Sequence, residues 1–458
     1  MSTAWERLSK LLDKDSFQRM DDLEPTIHLL GQGTIDGRTV YCCAGLSQVR
    51  GADVRECFLR KVKWLEHILD HPAPVVWLHD APPPAPGGRT PIPARSDELI
   101  ASPTGVGRVF CLQARLHGLV PQFSALFGDA GAAQSFPVRL ADFTLLKRGS
   151  HLWIGRPDAV KLMLGEVPDA EQLGGAEMHC RVSGIGDVLF DEDHQALQWI
   201  SRCLSNLPSR AGEPVPRSAP RPPEVSGKEL ASFVPTDLNT AFAIQRIIEA
   251  VVDAESWVAI QQDHAGEAVT GLARVAGFPV GIVANNAGQR GGLIFPETCR
   301  KMNRFVTFCD RYRIPLLFLV DNPGLMVGTD SEQTGMLREA SELLITLANI
   351  TVPRVCLVIR KAYTVGLYIM SGPGFEPTCF WAAPHASIAI FGPKALDYFA
   401  ADGEVPDTAR NAILEMRRYA VDPTNYRQKG YLDAIVELAD LRLQVEKFVE
   451  EYADRPSR

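Results

Sequence analysis

The chain has 458 residues, of which 46% are hydrophobic and 22% are charged, and this composition is typical of a globular protein with room for two domains. Its net charge of −8 argues against nucleic acid as a partner, since nucleic-acid-binding proteins usually carry a basic face. No apolar run reaches the roughly 18 residues that a membrane span needs. The N-terminus is charged and amphipathic, without the apolar core of a signal peptide. We therefore expect a cytoplasmic protein with neither a nucleic-acid nor a membrane partner.

The first half of the chain alternates between two kinds of apolar pattern. Helical spacing predicts helices at residues 62–69 and 108–118, and continuous apolar runs predict strands at residues 74–80 and 119–128. A proline cluster at residues 81–98 interrupts this half directly after the first of these strands.

The second half repeats the alternation. It predicts helices at residues 299–313 and 338–350 and strands at residues 315–321 and 353–360. Strands that are apolar throughout and separated by amphipathic helices are typical of parallel sheets covered on both faces. Each half therefore predicts an α/β domain with its chemistry at the carboxyl ends of the strands.

The two halves also match each other, segment by segment and about 240 residues apart, which indicates a duplicated domain. The matching segments are 34–45 with 274–286, 72–80 with 313–321, 119–136 with 351–370, and 150–160 with 386–396. Between the halves, residues 211–228 are rich in proline and charge and predict an extended linker. We expect an N-terminal domain at residues 1–210 and a C-terminal domain at residues 229–458.

Small residues follow one strand in each half. The sequence GDAGAAQSF follows the strand of the first half, and KAYTVGLYIM contains the matching turn of the second half, around Gly366. Such turns let the backbone approach a ligand, and the free N–H groups of the following helix can stabilise an oxyanion. The cysteines and histidines show no metal-ligand spacing, so we expect free thiols and no metal in this chain.

Long segments of the sequence resemble the carboxyltransferase (β) subunits of biotin-dependent acyl-CoA carboxylases. The C-terminal half carries GFPVGIVANN, FVTFCDRYRIPLLFLVDNPGLMVGTDSEQTGM, LANITVPRVCLVIRKAY and GLYIMSG, and the end of the N-terminal half carries LGGAEMHCRVSGIGD. Methylcrotonyl-CoA carboxylase β subunits are the nearest in the N-terminal half. Near the C-terminus, NYRQKGYLDAIVELAD is closer to propionyl-CoA carboxylases.

The resemblance implies two tandem crotonase-like domains of the ClpP/crotonase superfamily, each an α/β fold with a parallel sheet flanked by helices. It implies that the N-terminal domain binds acyl-CoA and that the C-terminal domain of a neighbouring subunit receives carboxybiotin. The reaction is carboxyl transfer to the α-carbon of the thioester through two enolate anions. Biotin is then carried by a separate biotinylated α subunit or carrier protein, and the chain self-associates into dimers of a higher oligomer, a hexamer.

Carried over by position, the resemblance assigns catalytic roles to two backbone turns and binding roles to their neighbours. The catalytic positions are Gly131, Ala132, Ala133, Val365, Gly366 and Leu367. The remaining substrate-binding positions are Asp80, Gly128, Pro323, Gly324, Tyr363 and Thr364. The phosphates of CoA need cations, and Arg60 and Lys63, on the helix before Asp80, are the candidates.

The first half departs from the family pattern at two places. At the position after Asp80 the family has a serine, two glycines and an alanine, whereas this chain has Ala81, Pro82, Pro83, Pro84 and Ala85. Prolines remove N–H donors there. Relatives also have glycines at Ala132 and Ala133, where a positive φ would strain an alanine.

These departures leave alternatives to carboxyl transfer onto acyl-CoA. The acceptor is either acyl-CoA or an acyl-carrier thioester. The same turns would also suit a decarboxylase, or another enolate-forming enzyme, that acts on a malonyl-type thioester without biotin. A third alternative is a non-catalytic subunit of a carboxylase complex.

Overall fold

The computed structural model describes residues 2–20, 27–46, 54–80, 96–392, 396–398, 401, 406–420 and 422–452. The chain divides into two compact units, Met1–Glu213 and Pro214–Arg458, so the division falls inside the segment predicted as a linker. Residues 214–226 form neither helix nor strand, but they are bound to the second unit. The Ser218 N–H donates to the Gly277 carbonyl at 3.1 Å, and Arg274 donates to the Pro216 carbonyl at 3.0 Å.

The first unit is built on a seven-stranded sheet. Its strands, with a separate short pair, are β1 (Gln18–Arg19), β2 (His28–Ile35), β3 (Arg38–Gly45), β4 (Val75–His79), β5 (Gln122–Leu126), β6 (Ala130–Gly131), β7 (Phe143–Lys147), β8 (Leu152–Trp153) and β9 (Val188–Phe190). The sheet order is β1-β2-β3-β4-β5-β7-β9, and β6 pairs with β8 in a parallel two-stranded sheet. Pairing is antiparallel from β1 to β3 and parallel from β3 to β9.

Helices cover this sheet. They are α1 (Ser2–Leu11), α2 (Val54–Asp70), α3 (Ser96–Ala101), α4 (Val106–Leu116), α5 (Ser135–Arg139), α6 (Pro157–Leu164), α7 (Ala170–Gly174), α8 (Ala176–Met178) and α9 (Asp193–Ser205), with a 3-10 turn at Ala132–Gln134 and a π turn at His179–Ser183. Trp64, Leu65 and Ile68 lie on the buried stripe of α2 and pack with Leu112 of α4 and Trp77 of β4. The helical spacing of these apolar residues explains why α2 lies along the sheet.

The second unit is built on an eight-stranded sheet. Its strands are β10 (Val258–Ile260), β11 (Ala268–Val275), β12 (Phe278–Asn285), β13 (Leu316–Asn322), β14 (Arg354–Tyr363), β15 (Cys379–Ala382), β16 (Ser387–Ala389) and β17 (Ala434–Ile435). The order is β10-β11-β12-β13-β14-β15-β17, and β16 pairs with the far end of β14.

The helices of the second unit follow the same plan. They are α10 (Gly227–Phe233), α11 (Ile244–Val251), α12 (Pro296–Arg311), α13 (Thr329–Gln333), α14 (Met336–Asn349), α15 (Val365–Ile369), α16 (Asp407–Ala420), α17 (Thr424–Gln428) and α18 (Leu441–Tyr452), with 3-10 turns at Arg290–Gly292 and Leu438–Asp440. Among the helices of the described ranges, none combines the length and the apolar composition that crossing a bilayer requires.

The two units repeat one topology. An antiparallel hairpin, β2–β3 or β11–β12, is followed by two central parallel strands, β4 and β5 or β13 and β14. The hairpins turn on Asp36–Gly37, with φ of 50° and 75°, and on Ala276–Gly277, with φ of 51° and 79°. Two consecutive positive φ angles are typical of the tight turns that join antiparallel strands. The alternation of helices and parallel strands predicted from the sequence is confirmed, with the antiparallel hairpin added at the start of each sheet.

Candidate active site

The turn after β5, residues 128–134, is the first of two matching turns and is called the first turn below. Ala132 has a φ of 53°, in the left-handed region that non-glycine residues rarely adopt. Its N–H donates to the Ile154 carbonyl at 3.1 Å. Gly131 packs so closely on Trp153 that a Cβ would lie 2.8 Å from the indole nitrogen, which explains the glycine there. Gly128 lies in the same turn and is partly exposed.

The turn after β14, residues 363–367, is called the second turn. Thr364 has a φ of 52° and a ψ of −142°, and it precedes α15. Its N–H donates to the Ala389 carbonyl at 3.1 Å. The Leu367 N–H donates back to the Thr364 carbonyl at 3.2 Å. Thr364 and Val365 are exposed, whereas Gly366 is buried.

The two turns have the same backbone geometry at equivalent positions. Ala132 lies eleven residues after Pro121, and Thr364 lies eleven residues after Pro353. Each has a positive φ, donates its N–H to a neighbouring strand segment, and begins or precedes a short helix. Backbone strain of this kind costs roughly 1–3 kcal/mol and clusters at functional sites.

This geometry restricts which of the predicted N–H groups are available. The N–H groups of Ala132 and Leu367 are used inside the fold, so the assignment of oxyanion donors to them needs correction. Ala133, Val365 and Gly366 lie at the starts of their helices, where a backbone N–H has no acceptor within the helix. With Gly131, which lies in β6, they are the four predicted positions that remain.

Residues after β13 hold the second turn in place. The Asn322 side chain is buried, donates to the Gly366 carbonyl at 3.1 Å and accepts the Gly324 N–H at 2.7 Å. Gly324 has a φ of 126°, and a Cβ there would lie 3.5 Å from the Thr364 hydroxyl. Gly324 therefore lies beside Thr364, and Pro323 precedes it in the chain.

Tyr363 has a different environment from that predicted. Its ring is buried, and its hydroxyl donates to the Ser387 hydroxyl at 3.2 Å. Burial raises the pKa of this phenol. Tyr363 therefore fixes the end of β14 against β16, and the prediction that it contacts substrate is not supported by its position.

An aspartate ends the equivalent strand in each unit and pairs with an arginine. Asp80 accepts from Arg7 at 2.6 Å, and Arg7 also donates to Asp193 at 2.7 Å. Asp321 accepts from Arg360 at 2.7 Å, in a pair whose side chains are 0% and 2% exposed. Both carboxylates are thus held by the fold. The replacement predicted to matter beside Asp80, Pro82–Pro84 with Ala81 and Ala85, lies outside the described residues.

The first unit contains a cavity of about 390 Å³ beside the first turn. The first turn contributes Asp129, Ala130, Ala133 and Gln134 to its wall, and Asp80 also lines it. Most of the other lining side chains are apolar and come from the open end of the β2–β3 hairpin, from β4 and β5, and from α2, α4 and α5. They are Ile27, Leu46, Phe58, Leu78, Val106, Val109, Phe110, Leu126 and Pro137.

The cations predicted to bind CoA are not in this cavity, but a neighbouring lysine is. Lys63 is exposed and Arg60 is partly exposed, and neither lines the cavity. Lys61, between them, is 5% exposed, lines the cavity and lies over the Trp77 ring at 5.1 Å. Its place in the apolar stripe of α2, with Cys57, Trp64 and Leu65, was a signal in the sequence, because a charged residue rarely occupies such a stripe.

Two histidines share the cavity with Lys61. Burial lowers the pKa of His79 to about 3, and the Lys61 charge acts in the same direction. Burial, then Lys61 and His79, hold the pKa of His28 well below its usual range. Both imidazoles are therefore neutral near pH 7. Sequence analysis missed them because they are far apart in the chain.

A further histidine supports the first turn. His151 lies 2.8 Å from Asp129 through Nδ1 and 3.1 Å from Glu171 through Nε2, and its ring stacks on Trp153. These contacts connect the first turn with β8 and α7, so His151 helps to fix the backbone that carries Ala132.

Comparisons with known proteins agree with this geometry. Residues 1–457 match the family model described as "Carboxyl transferase domain". An uncharacterized carboxylase of Bacillus subtilis (strain 168), YngE, is 34% identical, with 98% of this chain and 89% of the relative covered. The carboxyltransferase subunit of propionyl-CoA carboxylase from Haloferax mediterranei is 32% identical, with 96% and 88% covered.

A solved structure extends the likeness to three dimensions. The transcarboxylase 12S hexamer, with hydrolysed methylmalonyl-coenzyme A bound, matches with a TM-score of 0.88 at 29% identity, covering 100% of this chain and 91% of that one. The fold is that of the crotonase-like carboxyltransferases. The chain belongs to the carboxyl transferase family, which includes the carboxyltransferase subunits of acyl-CoA carboxylases. The resemblance noted in the sequence, and the enzyme class that it implies, acyl-CoA carboxyl transfer, are confirmed.

Proposed function

We propose that this chain transfers a carboxyl group from carboxybiotin to the α-carbon of an acyl-CoA thioester, with one backbone turn for each anion of the reaction. The first turn stabilises the thioester enolate, and the second turn stabilises the ureido oxygen. The observation that supports this most directly is the matched left-handed geometry of Ala132 and Thr364, with φ of 53° and 52°.

The N–H groups that follow Ala132 and Thr364 are the donors in this mechanism. An oxyanion is stabilised by preorganised donors that do not move during the reaction. The Ala132 and Thr364 N–H groups are bound to Ile154 and Ala389, and this anchors each turn while the next N–H groups remain available. Asn322 adds a second anchor at the Gly366 carbonyl. Side chains contribute little chemistry here, which accounts for alanine, threonine and valine at positions where relatives have smaller residues.

The second turn fits the biotin group in its donor chemistry. Val365 and Gly366 offer N–H donors of the kind that a ureido oxygen accepts, beside the exposed surface of Thr364. The Val365 and Gly366 N–H groups would hold the ureido group of carboxybiotin, which would supply the carboxyl group and a basic nitrogen for the α-proton. The residues of this chain then have to bind, orient and stabilise. A protein base is not required.

Biotin is assigned here to a separate biotinylated subunit, and the chain is assigned to a homo-oligomer. Large apolar side chains are exposed near both turns: Phe136 and Ile154 near the first, and Val327, Tyr368 and Ile390 near the second. Exposed apolar surface of this kind marks contact sites. The related transcarboxylase 12S was solved as a hexamer, which supports a hexamer of this chain. All ten cysteines are free thiols, which supports a reducing, cytoplasmic location.

Proline substitution at the helix starts tests the mechanism, because it removes an N–H at a position where proline is tolerated. The assay is transfer of the carboxyl group from methylmalonyl-CoA or malonyl-CoA to free biotin, which needs no partner subunit. Val365→Pro and Ala133→Pro should each lower kcat by about 100-fold or more, since one oxyanion donor is lost. The control variants Val365→Ala and Ala133→Ser keep the N–H and should stay within a few-fold of the natural chain.

Two outcomes would count against the proposal. The mechanism is wrong if each proline variant is as active as its control. Release of carbon dioxide without biotin, at a rate that Val365→Pro leaves unchanged, would instead indicate the biotin-independent decarboxylase.

A further inference from the structure

A niche lies on the floor of the cavity in the first unit, and we call His28, Gly45, Lys61 and His79 the lysine–histidine niche. His28 is paired directly opposite Gly45 across β2 and β3. Ala44 pairs with Leu78 in the parallel ladder, so Gly45 and His79 are the next pair along. Side chains two residues apart share a sheet face, which puts His28 and His79 on the face of Leu30 and Trp77, under α2. Glycine between two histidines leaves a gap in the side-chain layer.

Lys61 stands over this gap as a buried cation that lacks an anionic partner in the described part of the chain. It is 5% exposed and lines the cavity. The two carboxylates that also line the cavity are engaged elsewhere, Asp80 with Arg7 at 2.6 Å and Asp129 with His151 at 2.8 Å. A buried charge without a partner is costly, so it indicates a ligand.

A buried lysine of the second unit offers a comparison. Lys301 of α12 is 2% exposed and donates to the carbonyls of His264 and Ala268, both at 2.7 Å, and to Ala265 at 3.3 Å. The fold therefore satisfies the ammonium group of Lys301. Among the residues that the structure describes, Lys61 contacts the Trp77 ring and the Cys43 thiol and donates to no carbonyl group.

His79 provides a second, independent indication. Its Nε2 atom is buried and has no hydrogen-bond partner within the described ranges of the chain. Burying an imidazole nitrogen without a hydrogen-bond partner destabilises a protein by about the free energy of one lost hydrogen bond. The unpaired nitrogen and the unpaired ammonium group border the same cavity, so one ligand group can satisfy both.

We propose that the lysine–histidine niche binds a carboxylate carried by the acyl group of the thioester, with Lys61 as its ion-pair partner and the Nε2–H of His79 as its donor. This rests on the proposed function, which assigns the cavity to the acyl group. The surrounding walls, among them Phe58, Val109 and Phe110, are apolar and suit a short carbon chain between thioester and carboxylate. With Lys61 as its one lining cation, the described cavity matches a singly charged carboxylate better than a phosphate.

The carboxylate has two possible sources, and binding measurements separate them. One source is a distal carboxylate already present on a dicarboxylic acyl group, and the other is the carboxylate that the reaction installs. Calorimetry on the full chain compares glutaryl-CoA with pentanoyl-CoA, which has the same chain length, and methylmalonyl-CoA with butyryl-CoA. The variants are Lys61→Met, which removes the charge, and Lys61→Arg, which keeps it. Lys10→Met is the control, since Lys10 is exposed on α1 of the same unit and does not line the cavity.

If the niche binds a distal carboxylate, Lys61→Met should weaken the binding of glutaryl-CoA by about 10- to 100-fold. The binding of pentanoyl-CoA should change by no more than a few-fold. If the niche binds the carboxylate that the reaction installs, Lys61→Met should weaken the binding of methylmalonyl-CoA by a similar factor and change that of butyryl-CoA little. In either case Lys61→Arg should keep most of the preference for the charged ligand, and Lys10→Met should keep all of it. Equal changes for the charged and uncharged member of both pairs would overturn the proposal. That result leaves the proline test intact, because these measurements involve no catalysis.

Discussion

Ala132→Gly offers a direct test of the left-handed strain in the first turn. An alanine in this region costs about 1–2 kcal/mol relative to ordinary backbone, whereas glycine adopts a positive φ freely. The more flexible unfolded state of glycine offsets about 0.5–1 kcal/mol of that gain. We therefore expect Ala132→Gly to stabilise the first unit by about 1 kcal/mol, or about 2–4 °C in Tm for a unit of this size. The usual sign of an alanine-to-glycine change is thereby inverted.

The assay is thermal unfolding at fixed protein concentration, since self-association shifts apparent stability. Ala114→Gly is the matched control, because Ala114 is exposed in the helix α4 and has ordinary helical backbone. It should lower the stability by about 1 kcal/mol. Our account of the turn is refuted if Ala132→Gly destabilises the protein as much as Ala114→Gly does, because Ala132 would then carry no strain.

Three further predictions concern buried polar groups. Asp321→Asn leaves Arg360 buried without its ion-pair partner, so it should lower the free energy of unfolding of the second unit in urea by about 3 kcal/mol. Asp70→Asn, at an exposed position, should lower it little. Equal effects of the two substitutions would contradict the pairing. The folded-state pKa of His79 is about 3, below the ~6.5 of an unfolded histidine, so the unfolded chain gains a proton first as the pH falls. Stability should decline below pH ~6.5 by up to about 1.4 kcal/mol per pH unit, and His79→Gln should reduce this slope; an unchanged slope in unfolding at pH 7 and pH 5 would be evidence against it. Lys301→Met leaves three buried carbonyl groups without their donor, so it should destabilise the second unit by about 3 kcal/mol in the same unfolding assay. A change within about 0.5 kcal/mol would show that water replaces the ammonium group.

The sequence predicted the architecture well because its signals are local or repeated. The apolar runs that became β4 and β13 are continuous, and the helical stripes that became α2 and α12 are periodic along the helix. The duplication then doubled each signal. The short strands β6, β8 and β17 have two residues each and gave no pattern, since their pairing is decided by tertiary contacts.

The site was predicted less completely, and the reasons are physical. Ala132 and Leu367 were in the right turns, but hydrogen bonds to Ile154 and Thr364 decide which N–H groups remain, and these bonds are not visible in residue types. Arg60 and Lys63 were selected because the phosphates of CoA need cations, and neither residue lines the cavity. Lys61 lines the cavity instead, with its ammonium group over the Trp77 ring.

The backbone origin of both turns has a consequence for how such proteins diverge. When an N–H group is the functional atom, selection acts on a torsion angle and leaves the side chain free within steric limits. Alanine at position 132 and threonine at position 364 share a φ near 50° and no side-chain group beyond a β-carbon. A search for related enzymes based on residue identity would overlook this equivalence. A search for a left-handed residue between a parallel strand and a short helix would find it in both halves of one chain.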